Sequence, residues 1–295
     1  MRVFKHLGQF LGFTLAAAAL APGAALANTS ETCPSFEVSG EGTDVILVPG
    51  LGSSPQVWDR LVEDLSGSYR FHRVAVPGFA GEPPLAAEND NVPGALSELI
   101  GRYIECRDLS APAIIGHSMG GFTALLVARD NPQTISAVVV VDALPFYPLI
   151  FNPDAKPGDM AERARSMASM IEQMDPASFK AMQERGAASL TKTEGAAATI
   201  VAWSLTSDRS TFARAIENLM TSDLRPDLPA IGTPVTVLYA TNAFATGDRM
   251  GPLYTSAYAG LPNVTLAEIP DSYHFTMFDQ PELTRDAIVT ALSQD

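Results

Sequence analysis

A serine flanked by glycines lies between an apolar run and a segment with a helical pattern. The residues 116–120, Gly-His-Ser-Met-Gly, follow the apolar run and precede the helical pattern of residues 122–129. A serine on so sharp a strand-to-helix turn has a strained backbone, and small residues two positions before and after it avoid steric clashes. Gly116 and Gly120 fill those two places. The segment therefore predicts that Ser118 is a nucleophile, and a serine hydroxyl needs a nearby base to attack efficiently.

With this turn the sequence resembles the α/β-hydrolase family, and the resemblance extends from about Asp44 to the last predicted helix. The family implies a triad of serine, acid and histidine in that chain order. His274 follows the last predicted strand and precedes the last predicted helix, where the family keeps its base. The other histidines lie in the leader, before the serine or within the turn itself: His6, His72 and His117. We therefore expect His274 to be the general base.

The acid of the triad has two candidates. Most members of the family carry it after the strand that corresponds to Val235–Ala240. Counting back from His274 at the usual spacing leads to Asp248, whereas counting forward from the strand leads to residues 242–243. Asp142 ends an earlier strand, where some relatives, including haloalkane dehalogenases, hold their acid. We favour Asp142 and keep Asp248 as the alternative, since either carboxylate need only orient the imidazole and stabilise its cation.

Two backbone amides are predicted to hold the oxyanion of the reaction. One is the amide of Met119, directly after the nucleophile. The other is the amide of Leu51, because the loop of residues 48–52 resembles the family's His-Gly-x loop with Pro49 in place of the histidine. The pair Gly50 and Gly52 lacks the third glycine of a dinucleotide fingerprint, so we expect no nucleotide cofactor, and no other cofactor is indicated.

The elements that must position these residues alternate along the chain. Buried strands are predicted at 44–48, 73–76, 113–116, 137–141, 235–240 and 264–269, with helices between them. This alternation predicts an α/β fold, with a mostly parallel central sheet flanked by helices. The core comprises residues 28–144 and 230–295. Residues 145–229 lack a convincing strand and are predicted to form a helical cap over the carboxyl edge of the sheet, with helix starts at Asp175, Thr191 and Asp208.

The first 27 residues read as a secretory signal peptide. Basic residues precede an apolar run of about 15 residues, which is shorter than the roughly 20 residues that a membrane-spanning helix needs. Small residues at 25 and 27 predict cleavage after Ala27. We expect a periplasmic or secreted protein without a stable membrane anchor. In such a compartment Cys33 and Cys106 are expected to form a disulfide.

Composition excludes several function classes. The net charge of −14, with scattered basic residues, argues against nucleic acid as a partner. Two cysteines and four histidines leave too few ligands for a Cys/His metal cluster, so no metal is expected. No pattern predicts an oligomeric state.

The triad and the aromatic residues near it predict a serine hydrolase of carboxylic esters or lactones. Its substrates would carry small to medium, largely apolar acyl groups, bound in a pocket that includes Phe146, Trp203 and Phe275. Amidases, aminopeptidases and cofactor-free perhydrolases use the same triad and stay open as alternatives. A non-catalytic binding protein on the same fold is the alternative from another class.

Overall fold

The computed structural model describes residues 33–84 and 90–293, so the predicted signal peptide at 1–27 lies outside the described residues. In the described part, seven strands form one sheet: β1 (Glu37–Gly40), β2 (Thr43–Val48), β3 (Tyr69–Arg73), β4 (Ala113–His117), β5 (Val138–Val141), β6 (Val235–Ala240) and β7 (Val264–Ile269). Their order across the sheet is β1-β3-β2-β4-β5-β6-β7. The edge strand β1 is antiparallel to β3, and all other neighbours are parallel.

Helices cover both faces of this sheet. They are α1 (Asp59–Leu65), α2 (Val92–Cys106), α3 (Met119–Asp130), α4 (Pro157–Gln173), α5 (Pro176–Ala187), α6 (Ala196–Thr206), α7 (Arg209–Thr221), α8 (Gly247–Ala257), α9 (Thr276–Asp279) and α10 (Pro281–Leu292). Alternate residues of β2 belong to two different groups of buried side chains, Ile46 and Val48 to one and Val45 and Leu47 to the other. Because side chains alternate along a strand, these groups are the cores on the two faces of the sheet.

The central strands follow the sequence prediction, but the prediction of a strand at 73–76 is wrong. The strand is Tyr69–Arg73 and ends where the prediction begins. The strand contains polar residues, so it has no apolar run. Arg70 and His72 contact Asp44 on β2, with Arg70 Nε 2.5 Å and His72 Nε2 2.7 Å from Oδ1 of Asp44. The antiparallel β1 was missed as well, because a four-residue half-exposed edge strand carries little hydrophobic pattern.

Residues 145–229 lie between β5 and β6 and contain α4 to α7. Asp175 and Asp208 cap α5 and α7 as predicted, since their side chains accept hydrogen bonds from the first turns of those helices. The predicted start at Thr191 is wrong, because α6 begins at Ala196 after Gly195. The side chain of Thr191 instead donates a hydrogen bond to Asp279.

A disulfide links two distant parts of the described chain. Cys33 and Cys106 form a disulfide that ties the start of the described chain to the end of α2, with 5.9 Å between the Cα atoms. None of the described helices is long and apolar enough to cross a membrane.

Candidate active site

Ser118 occupies a sharp turn between β4 and α3. Its backbone has φ 54° and ψ −120°, a conformation that costs free energy in a residue with a side chain. The backbone amide of Ser118 donates to the carbonyl of Val141 at 2.9 Å, which ties the turn to the neighbouring strand β5. A β-carbon on Gly116 would lie 2.1 Å from the carbonyl oxygen of Gly120, so only glycine fits at that position. The structure thus places Ser118 on the predicted strained turn, at the start of a helix.

His274 and Asp142 meet at the carboxyl ends of the sheet. The Nδ1–H of His274 donates to Oδ2 of Asp142 at 2.7 Å, although the two residues are 132 positions apart. Asp142 directly follows β5 and has φ 48°, while its backbone amide donates to the carbonyl of Leu238 on β6 at 2.8 Å. With Nδ1 donating to the carboxylate, Nε2 of His274 is the nitrogen left to accept a proton.

The structure separates the two acid candidates. Asp248 is exposed on the first turn of α8, whereas Asp142 bonds to His274. The carboxylate of Asp142 is largely buried, with its side chain 13% exposed. Of the two, the structure therefore brings Asp142 to the histidine.

The loop after β2 lies directly against the turn that carries Ser118. A β-carbon on Gly50 would lie 3.0 Å from the β-carbon of Ser118, and one on Gly120 would lie 2.3 Å from the carbonyl oxygen of Val48. Leu51, the second predicted oxyanion donor, lies within this loop, and Met119 begins α3 beside it. The two predicted donors therefore belong to segments in close contact.

The profile of the Alpha/beta hydrolase family matches residues 45–287, a span that includes Ser118, Asp142 and His274. The chain belongs to the α/β-hydrolase family. The predicted fold and the prediction that this chain is an α/β-hydrolase enzyme are confirmed.

Two methyl ester esterases are similar in sequence to this α/β-hydrolase. The pimeloyl-[acyl-carrier protein] methyl ester esterase of Aromatoleum aromaticum is 27% identical over 251 residues, covering 81% of this chain and 94% of the relative. The enzyme of that name from Nitrosomonas europaea is 25% identical over 264 residues, covering 84% and 94%.

Two solved structures share its fold. They are a thermophilic esterase from Thermogutta terrifontis (TM-score 0.71, 21% identity, 88% of this chain and 92% of that one) and an enol-lactonase from Burkholderia xenovorans (TM-score 0.68, 20% identity, 88% and 96%).

His117 is a buried histidine that contacts His274 in this α/β-hydrolase. The sequence did not predict this contact. The Nε2–H of His117 donates to the backbone carbonyl of His274 at 3.0 Å, and the two rings lie 4.6 Å apart. Burial, together with the nearby His274, lowers the pKa of His117 well below its usual value, so its imidazole is neutral. The other nitrogen, Nδ1, is buried without a hydrogen-bond partner in the described structure. His117 therefore acts as a neutral donor that fixes the histidine loop, residues 270–275 between β7 and α9, which carry His274.

Asp279 ties that loop to the helical insertion. Its Oδ2 accepts from the amide of Tyr273, next to His274, at 2.8 Å. Its Oδ1 accepts from the hydroxyl of Thr191 at 2.6 Å, from the amides of Lys192 and Thr193 at 3.0 and 3.1 Å, and from the hydroxyl of Thr193 at 2.8 Å. One carboxylate thus joins the segment between α5 and α6 to the backbone beside the predicted base.

The three predicted pocket residues lie in different places. The ring of Phe275 is 4.6 Å from that of His117 and 5.6 Å from that of His274, so it is part of the site. Phe146 is fully buried beneath the guanidinium of Arg225, which lies 5.0 Å from its ring centre. Trp203 is half-buried and lies 6.2 Å from Phe278. Phe212 of α7 approaches the loop at Gly52, where a β-carbon would lie 2.6 Å from its ring.

The described residues were also compared with the requirements of a metal site. Within residues 33–84 and 90–293, no three side chains of His, Cys, Asp and Glu are grouped so that they could hold a metal ion.

Proposed function

We propose that this chain hydrolyses carboxylic esters, including lactones, with small to medium, largely apolar acyl groups. Ser118 is the nucleophile, His274 the general base and Asp142 the acid. The amides of Leu51 and Met119 hold the oxyanion.

The reaction proceeds in two halves that use the same groups. The Ser118 oxygen attacks the ester carbonyl while its proton passes to Nε2 of His274, and the carbonyl oxygen becomes an oxyanion. Collapse of this intermediate breaks the bond to the alcohol, which leaves with the proton from His274, and an acyl-enzyme results. Water then attacks the acyl carbon, giving its proton to His274, and the released serine takes that proton back as the free acid departs.

The observation that carries the proposal is the 2.7 Å hydrogen bond from His274 Nδ1 to Asp142. This bond fixes the tautomer in which Nε2 can accept the serine proton, and the carboxylate stabilises the imidazolium that forms. The strained turn at Ser118 supports the proposal as well, because an unfavourable backbone conformation is retained where it presents a reactive group.

The substrate class rests on shared chemistry and on charge. The two similar pimeloyl-[acyl-carrier protein] enzymes are named for a methyl ester, and the structure from Burkholderia is that of an enol-lactonase, so an acyl–oxygen bond is common to them. The net charge of −14 disfavours highly charged anionic substrates, and Phe275 offers an apolar wall beside His274.

A fluorophosphonate probe and a substrate panel test this function. Wild-type protein should form a covalent adduct at Ser118, and Ser118→Ala should form none. On a panel of p-nitrophenyl esters, acyl-homoserine lactones and aminoacyl amides, the esters or lactones should be turned over. An absent adduct in folded wild-type protein would favour a non-catalytic binding protein, and turnover of the amides alone would favour an amidase.

Two matched substitutions test the acid. Asp142→Asn should lower kcat by about 10⁴-fold, because the amide favours the wrong tautomer of the histidine. Asp248→Asn removes the same charge from an exposed residue and should change kcat by less than about twofold. Equal, mild losses in both variants would contradict the assignment of Asp142.

We also propose that the protein is exported and acts in the periplasm or outside the cell. The pattern of residues 1–27 supports export, and the Cys33–Cys106 disulfide is a cross-link that persists in oxidising compartments. Expression of the full chain in a bacterial host, followed by fractionation and N-terminal sequencing, should find a protein that begins at Asn28. A cytoplasmic protein that retains Met1 would contradict the proposal.

A further inference from the structure

The second oxygen of the Asp142 carboxylate has its own set of donors. Oδ2 faces His274, whereas Oδ1 accepts from the backbone amide of Ala240 at 2.9 Å and from the hydroxyl of Tyr254 at 3.1 Å. A largely buried carboxylate needs such donors, because an ionised group that loses water without replacement is strongly destabilised. Tyr254 is the side-chain donor in this set.

Tyr254 lies in a stack of three tyrosines. Its ring lies 4.9 Å from Tyr239 on β6 and 6.3 Å from Tyr258, which follows α8. Tyr258 makes a comparable buried hydrogen bond, but to the carbonyl of Ala143, at 2.8 Å. Two neighbouring tyrosines therefore donate to adjacent residues, and only one of the two bonds reaches the carboxylate.

We propose that Tyr254 is a positioning residue that orients Asp142 and tunes it for proton transfer at His274. The proposal rests on the triad proposed above. The hydroxyl holds the carboxylate so that Oδ2 faces Nδ1 of His274. It also spreads the negative charge of the carboxylate onto a donor, which limits how strongly Asp142 stabilises the imidazolium.

The surrounding titratable groups allow this role. Burial and the charge of Asp142 raise the pKa of Tyr254 well above its usual value, so its hydroxyl remains a donor across the working pH range. Tyr258 is likewise buried with a raised pKa, and the pKa of Tyr239 is raised by burial and by the charge of Glu268 on β7. The titratable ring packed against His274 is that of the neutral His117. Tyr254 is thus the titratable side chain that bonds directly to Oδ1.

The matched substitutions Tyr254→Phe and Tyr258→Phe test the proposal. Each removes one buried hydroxyl from the same aromatic stack, so a purely structural role predicts similar effects on activity. We expect Tyr254→Phe to lower kcat about tenfold, because the carboxylate loses part of its orientation. The acid limb of the kcat/KM profile should also move to higher pH by roughly half a unit, since a carboxylate with fewer donors stabilises the imidazolium more. Tyr258→Phe should leave this limb unchanged.

The outcomes separate this proposal from the proposed function. An unshifted limb in Tyr254→Phe, or an equal shift in both variants, overturns the role of Tyr254 while Ser118-dependent turnover of the wild type still stands. If wild-type protein shows no Ser118-dependent turnover, the proposed function itself fails.

A second substitution covers the case in which Tyr254→Phe does not fold. Difluorotyrosine placed at position 254 keeps the size of the ring but is a stronger donor, so the limb should move to lower pH. A shift in the other direction, or none, contradicts the proposal.

Discussion

The carboxylate of Asp279 joins two parts of the chain that are about 80 residues apart in sequence, and Asp279→Asn tests how much that joint stabilises the fold. The substitution preserves size but removes the charge and converts one oxygen to an NH₂ group. The remaining oxygen can still accept from the Thr191 to Thr193 segment. The new NH₂ group then faces the amide of Tyr273, so that two donors point at each other.

The magnitude follows from the five hydrogen bonds that the carboxylate accepts. A bond to a charged group is worth about 1.5–3 kcal/mol and a neutral one about 1 kcal/mol, and an unmatched donor costs about 1–3 kcal/mol. Asp279 is partly exposed, so solvent reduces these values. We expect the free energy of unfolding to fall by about 3 kcal/mol, which lowers the melting temperature by about 9 °C for a domain of this size.

Thermal unfolding followed by circular dichroism, alongside Asp286→Asn, measures this effect. Asp286 lies on α10, its side chain is 65% exposed and it pairs with the neighbouring Arg285, so the same change should lower the melting temperature by no more than about 2 °C. Turnover of a p-nitrophenyl ester should fall in Asp279→Asn, because the freed amide of Tyr273 adjoins His274. Equal melting temperatures in the two variants would refute the idea that Asp279 holds these segments together.

Three further variants probe the fold. Gly116→Ala should give little soluble protein, because its β-carbon would lie 2.1 Å from a backbone oxygen of α3; soluble, active protein would contradict the geometry of the turn. The hydrogen bond from Arg70 is the main reason why the pKa of Asp44 is lowered, so Asp44 adds stability above its ordinary pKa of about 3.9 that is lost as the pH falls through the folded-state value. Asp44→Asn should therefore melt earlier than wild type at pH 6, and the difference in melting temperature should shrink as the pH falls below about 3.9. Replacing both Cys33 and Cys106 by serine opens a loop of 73 residues and should lower the free energy of unfolding by about 4 kcal/mol, measured by urea denaturation; an unchanged midpoint would show that the cross-link adds nothing.

Local sequence patterns predicted the features that depend on residues close together in the chain, namely the turn at Ser118 and the central strands. The turn at Ser118 needs glycines two positions away on either side, and both are visible in the sequence. The apolar runs of β4 and β5 are buried on both faces, so composition alone marks them as central strands. The prediction misplaced β3 because Arg70 and His72 are polar and form hydrogen bonds to Asp44. Hydrogen bonds of this kind leave no apolar pattern in the sequence.

Contacts between distant segments could not be read in this way. The choice between Asp142 and Asp248 depends on which strand end approaches His274. Counting residues along the chain leads to two different positions, Asp248 and residues 242–243. Tyr254 and Asp279 carry no local motif, since Asp142 lies 112 residues from Tyr254, and Thr191 and Thr193 lie 88 and 86 residues from Asp279. His117 was visible within the turn, but its hydrogen bond to the carbonyl of His274 spans 157 positions. The contacts of such residues can be identified only from the folded structure, in which the sheet brings the strand ends together.

The end of β6, where the family resemblance most often predicts the acid, has a different role in this chain. The amide of Ala240 donates to Asp142 at 2.9 Å, so the strand end supplies a hydrogen-bond donor to the proposed acid instead of the acid itself. The next residues hold the histidine loop: the carbonyl of Thr241 accepts from the amide of Ser272 at 2.9 Å, and Nδ2 of Asn242 donates to the carbonyl of Ser272 at 3.0 Å. A carboxylate in place of Asn242 would face that carbonyl and repel it. Asp142, the proposed acid after β5, and Asn242 after β6 therefore form one arrangement: Asp142 contacts the imidazole of His274, and Asn242 holds the backbone of the loop that carries it.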